Sequence, residues 1–196
     1  MSLHHRRRSV RLRGYDYRQP GLYFVTICTY GRQPLFGQIV DDALVASAFG
    51  TIAQEEWVRT PVIRTEGRRQ PAGVMLDAFV VMPDHVHLLF GIVGDDASSN
   101  ASAQSIVGAT RRVAPTERKR QAGPPSGSIG AIIGQYKSAV TKRIRQQDPA
   151  VRVWQRGYHD RIVRTGHEAD AIRRYIAENP SSWRNRSPAR RDGHPV

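Results

Sequence analysis

Residues 21–29 (GLYFVTICT) crowd aromatic and β-branched side chains directly after a Gln19-Pro20-Gly21 turn, a pattern that predicts a strand. After a loop over residues 31–37, Asp41 or Asp42 is positioned to cap a helix whose apolar residues Leu44, Val45, Ala48, Phe49, Ile52 and Ala53 follow a 3.6-residue period. Residues 74–82 and 85–93 read as two further strands, and the two-residue link Pro83-Asp84 predicts a tight hairpin between them. Helical period resumes at Ile129, Ile132, Ile133, Tyr136, Val140 and Ile144, with Ser126 or Ser128 as the cap. Short strands are predicted at residues 151–154 and 160–163. A last helix runs from about His167 to Asn179, where Pro180 disfavours the helical conformation of the residue before it. Strand-like and helix-like periods alternate without an internal repeat, which predicts an α+β domain.

Residues 94–128 break this pattern. They are rich in Gly, Asp, Ser, Ala, Pro and Arg and hold few large apolar side chains, so they read as a flexible basic insertion. The expected organisation is a basic arm (1–20), one domain (21–183) carrying that insertion, and a basic tail (184–196). Charge sharpens the picture: 30 Lys+Arg against 17 Asp+Glu leave a formal net charge of +13. The cations cluster at Arg6, Arg7, Arg8, Arg11, Arg13 and Arg18, at Arg111, Arg112, Arg118, Lys119 and Arg120, and at Arg184, Arg186, Arg190 and Arg191. One such cluster is an ordinary solvated tail; three point to a polyanion, and nucleic acid is the expected partner. Only Lys119, Lys137 and Lys142 are lysines. That bias suits bidentate phosphate contact and also follows from a GC-rich genome.

Cys28 is the single cysteine, which excludes an intramolecular disulfide and any multi-cysteine metal site. The apolar runs fall short of the roughly 18 residues a membrane span needs, and no secretory leader is visible, so a soluble, cytoplasmic protein without membrane contact is expected.

Candidate chemistry concentrates in Val81-Met82-Pro83-Asp84-His85-Val86-His87-Leu88. In a strand His85 and His87 share one face, where two imidazoles can ligate a divalent cation; such pairs also occur as hydrogen-bonded surface or core histidines. On the last helix Tyr175 and Asn179 lie four apart and continue the stripe begun by Ile172, so a phenol and an amide face the sheet together. A buried tyrosine with a C-terminal Asn cap satisfies the same spacing.

Five segments in order, LYFVTICTYGRQPLFG, MPDHVHLLF, IIGQYKSAVTKRI, VWQRGYHDRIVR and YIAENP, resemble the HUH single-tyrosine transposases. Their REP-associated branch and its stand-alone bacterial relatives are the most similar. The resemblance spans about residues 21–183, apart from the insertion. It implies a ferredoxin-like or RRM-like antiparallel sheet of about four to five strands with helices mainly on one face. It also implies Tyr175 as nucleophile, His85 and His87 as metal ligands, and Asn179, a position that is Gln in some relatives, as the residue completing the metal shell. The implied activity is metal-dependent cleavage and rejoining of single-stranded DNA beside hairpins, through a covalent 5′-phosphotyrosine. Two neutral imidazoles and an amide would leave nearly the full charge of the cation facing the scissile phosphate. Mg²⁺ and Mn²⁺ both suit this set. Relatives include monomers and homodimers, and the REP-associated branch implies a monomer.

Other residues take lesser parts. Tyr136 sits on the apolar stripe of its helix and reads as packing. The segment Tyr158-His159-Asp160 reads as a structural turn, with His159 or Asp160 alternatively a metal ligand or a partner of one, and Asp84 reads as a turn former. His4, His5, His167 and His194 read as solvated. Arg11, Arg13 and Arg18 are the preferred DNA contacts, and Trp57, Trp154, Trp183, Tyr15 and Tyr17 are candidate stacking platforms. Two other functions fit the same residues: a catalytically idle DNA-binding protein, and a hydrolytic phosphodiesterase with water as nucleophile.

Overall fold

The computed structural model describes residues 15–65, 73–93 and 124–183. Its centre is the apolar strand β1 (Gly21–Cys28), which pairs antiparallel with β5 (His85–Val93) on one side and with β6 (His159–Val163) on the other. The Pro83-Asp84 turn joins β5 to β4 (Gly73–Met82) as an antiparallel hairpin, giving the sheet order β4-β5-β1-β6. With helices α1 (Ala48–Thr65) and α2 (Ile129–Gln147) in the two crossovers, this is the βαββαβ ferredoxin-like order; α3 (Gly166–Ser182) follows β6.

Strand periodicity divides the apolar residues between the two faces. Tyr23, Val25 and Ile27 of β1 and Val86, Leu88, Phe90 and Ile92 of β5 point to the side covered by α1 and α2, where Trp57 and Tyr136 fill the core. Full burial of one such large side chain contributes about 1.5–3 kcal/mol. The residues between them point the other way. There Leu22, Leu89 and Val163 meet Ala169, Ile172 and Ile176 of α3 in a smaller cluster, so two helices cover one face and the third covers the other.

Three local expectations are corrected. Residues 37–46 are not the start of a helix: they form the hairpin β2 (Gly37–Val40) and β3 (Ala43–Ala46). Asp41 and Asp42 take positive φ of 46° and 60° in its two-residue turn. Aspartate tolerates this left-handed conformation, and the local turn overrides a helical period shared by only Leu44 and Val45. The helix cap is instead Ser47, whose Oγ accepts from Gly50 N–H at 3.1 Å. Residues 151–154 contribute a single bridge, Trp154 to Thr29, rather than a strand. The last helix continues through Pro180 to Ser182, because proline in the final turn forfeits one backbone bond while its own carbonyl still accepts from Trp183 N–H. As expected, α2 starts at a Ser128 cap, whose Oγ accepts from Ala131 N–H at 3.3 Å.

Candidate active site

His85 and His87 both face α3, and each is held through Nδ1. The Pro83-Asp84 turn is tied down by Thr29, whose N–H and Oγ donate to the Asp84 carbonyl at 2.9 and 3.0 Å. The Asp84 carboxylate then meets His85 Nδ1. A carboxylate only accepts, so Nδ1 donates and the lone pair of His85 sits on Nε2. Thr26 lies opposite His87 in the β1/β5 register, with its Oγ 2.8 Å from His87 Nδ1. A hydroxyl donates or accepts, so this partner suits either tautomer. The two Nε2 atoms consequently converge at 3.0 Å. At this separation His87 Nε2–H donates to the lone pair of His85 Nε2, and a metal ion held by both nitrogens would take the place of that proton.

Helix α3 closes the site from the other side. Its start is fixed by Thr165, whose Oγ accepts from Glu168 N–H at 3.1 Å, and by Glu168 reaching back to Arg164 N–H at 3.0 Å. A further anchor is Arg173, which grips both oxygens of Asp77 at the β4 bulge at 2.8 and 2.6 Å. The Asp77 and Asp170 carboxylates raise the guanidinium pKa further. On this fixed helix Tyr175 brings its Oη to 3.2 Å from His87 Nε2 while remaining 43% exposed, so the phenol is reachable from solvent. Phe24 stacks on the His87 ring at 5.4 Å and meets Tyr175 edge-on at 6.1 Å.

Asn179 lies one turn after Tyr175, and Trp183, one turn later again, sits 5.9 Å from the His85 ring. The amide is therefore flanked on its stripe by residues that reach both imidazoles. It is 1% exposed, and neither its Oδ1 nor its Nδ2 has a hydrogen-bond partner. A buried orphan amide carries a penalty of about 1–3 kcal/mol, and coordination of a cation by Oδ1 would relieve the oxygen's part of it. Among the described residues no group of three or more His, Cys, Asp or Glu forms a metal cluster, so a cation here would draw its ligands from the two imidazole nitrogens and an amide such as that of Asn179. That set fits a divalent cation.

No family model matches the chain. An uncharacterized protein of Haemophilus influenzae is 31% identical over 179 residues, covering 91% of each chain. The chain belongs to that protein's family. The solved structure of a REP-associated tyrosine transposase bound to a REP hairpin covers 88% of this chain and 73% of its own, with a TM-score of 0.54 at 14% identity. The chain has the fold of that transposase, in line with the resemblance carried by its motifs.

Of the other residues singled out in the sequence of this family member, Tyr136 is fully buried and donates to the Ala53 carbonyl at 3.0 Å, a packing role; burial pushes its phenol pKa up. Asp84 does more than form a turn: its carboxylate reaches His85. Thr26, Phe24 and the Asp77–Arg173 pair were not foreseen. The even-numbered positions of β1 shared the face of Leu22, but only the register brings Thr26 and Phe24 to the histidines. Trp57 is buried in the core and Trp154 packs on Phe36 and Tyr136, so neither offers a stacking platform, whereas Trp183 lies at the site. Tyr15 and Tyr17 pack against the core. His159 and Asp160 belong to β6, and His167 is exposed in the first turn of α3. Arg18 is exposed and paired with Asp16 at 2.8 Å. Arg11, Arg13, His4, His5 and His194 lie outside the described residues, as do most of the insertion and the basic tail. No helix among the described residues is long and apolar enough to cross a membrane.

Proposed function

We propose that the chain is a transposase: a metal-dependent single-stranded DNA endonuclease and strand transferase that works beside hairpins through a 5′-phosphotyrosine on Tyr175. The observation that carries this reading is the approach of Tyr175 Oη to 3.2 Å from His87 Nε2, next to the converging imidazole pair. Tyr175 Oη attacks the scissile phosphorus, the phosphorus–O3′ bond breaks, and the upstream strand leaves as a 3′-hydroxyl while the phenol proton passes to solvent. The reverse step, a 3′-hydroxyl attacking the adduct with tyrosine as leaving group, rejoins strands. His85, His87 and Asn179 would hold Mg²⁺ or Mn²⁺, which when bound acts as a Lewis acid and template for the phosphate. Asp84 and Thr26 keep the imidazoles aimed, Phe24 holds the His87 ring, and α3 presents the phenol in line.

DNA as substrate is supported by the net charge of +13 and by the hairpin bound to the transposase of the same fold. The scissile strand must be unpaired to reach Tyr175. Arg18, together with Arg11 and Arg13 of the arm, is proposed to hold backbone phosphates, exchanging its Asp16 ion pair for one with DNA. The chain is proposed to act as a monomer. The test is incubation of labelled hairpin-bearing single strands with the protein and Mn²⁺, followed by denaturing gels. A covalent adduct that disappears in Tyr175→Phe is the expected result. Free 5′-phosphate product that survives this change would identify hydrolysis instead, and retarded bands without cleavage would identify a binder.

A further inference from the structure

A cleft of about 650 Å³ opens between β6 and the first turns of α3, within the range of about 300–1,000 Å³ usual for small-ligand sites. It is lined by Phe24 and Thr26 of β1, by their register partners Arg161 and His159 with Asp160 of β6, and by His167, Ala171 and Tyr175 of α3. The histidine pair is not part of its lining, so the space lies beside the phenol rather than over the imidazoles. Glu168, also in the lining, is committed: it accepts from Arg161 Nε at 2.6 Å and from Arg164 N–H. Because Arg161 makes that pair through Nε and its side chain is 68% exposed, its terminal nitrogens remain a donor fork for an occupant. His159 and His167 are exposed and add ring nitrogens that donate or accept. An aromatic ring beside guanidinium, imidazole and carboxylate groups suits a flat heteroaromatic ring with donors and acceptors on its rim.

We propose that this cleft is the specificity pocket for the single unpaired base immediately 3′ of the scissile phosphate. The inference rests on the phosphotyrosine reading above. In an in-line displacement the leaving nucleoside departs on the side of phosphorus opposite the attacking phenol. The nucleoside 3′ of the cut is joined through an equatorial 5′ oxygen and can fold back along the tyrosine ring, where the cleft lies. The base that remains attached to Tyr175 in the adduct is thus the one within reach of His167 and Arg161.

The test uses the full chain, Mn²⁺ and hairpin-bearing strands in which the position 3′ of the mapped cut carries each of the four bases or an abasic residue. Wild type is expected to form adduct about tenfold faster or more with one base than with another. His167→Ala and Arg161→Ala should flatten this preference while still forming adduct. Ala171→Trp, which fills the cleft, should slow adduct formation on every base yet spare the abasic strand; if that variant does not fold, the two exposed-residue variants decide. If wild type forms adduct without preference at this position, if preference tracks the base 5′ of the cut, or if it persists in His167→Ala and Arg161→Ala, the pocket is overturned while nicking by Tyr175 stands. Absence of any adduct in wild type overturns both.

Discussion

Two hydrogen bonds at Nδ1 decide whether the histidine pair can serve as a chelate. Without the Asp84 carboxylate the proton of His85 is free to move to Nε2, and without Thr26 the His87 ring loses the hydroxyl at its Nδ1. Loss of such a supporting contact typically costs about 10–100-fold in metal affinity. Asp84→Asn and Thr26→Val are therefore expected to weaken Mn²⁺ binding by about that factor, measured by electron paramagnetic resonance of free Mn²⁺ on folded protein. Unchanged affinity in both variants would remove the imidazole pair from the metal site. At the same scale Cys28 is a packing residue: burial raises its thiol pKa, which keeps it protonated and unreactive near neutrality. A thiol reagent at mildly alkaline pH should label it slowly in the native protein and rapidly in denaturant.

Helix α3 carries Tyr175 and Asn179, and its anchorage is small. One side rests on the cluster around Ile172 and Ile176, and one ion pair, Arg173 to Asp77, ties it to the β4 bulge. The two halves of that pair are unequal. Asp77 is 7% exposed, whereas Arg173 is 33% exposed and also touches Asp170. Arg173→Ala, which strands the buried carboxylate, should cost about 2–3 kcal/mol, and Asp77→Ala only about 1 kcal/mol. Urea unfolding of both variants measures the difference, and equal costs would mean the pair is not buried as described. This anchorage also marks where sequence reading stops. The shared face of His85 and His87, the Tyr175–Asn179 spacing and the Ser128 cap follow from local periods, and the structure agrees with them. The Asp77 clamp, the Thr26 contact and the cleft beside Tyr175 depend on strand register and on a bulge between Leu76 and Ala78, and neither is a local property of the chain. The β2–β3 hairpin escaped for another reason: Asp41-Asp42 serves equally as a helix cap or as a two-residue turn, and only the paired strands decide.

For the whole molecule, the sheet separates two tasks. One face, under α1 and α2, holds the main core; the other carries the imidazoles and receives α3. The α3 side also holds the buried amide of Asn179, neither of whose polar atoms has a hydrogen-bond partner. The net charge of +13 acts at this scale too, as a sequence-independent attraction for phosphates. Binding of a hairpin strand is expected to weaken linearly in a log–log salt titration, with a slope of about −3 or steeper, corresponding to roughly four or more neutralised phosphates. Fluorescence anisotropy measures it, and a flat titration would argue against DNA. The most direct measurement of the central claim is mass spectrometry of the protein after reaction with a hairpin-bearing single strand and Mn²⁺, followed by proteolysis. The account predicts a 5′-phosphorylated oligonucleotide attached to the peptide that contains Tyr175. An adduct on another residue, or cleaved DNA with no protein attached, would contradict it.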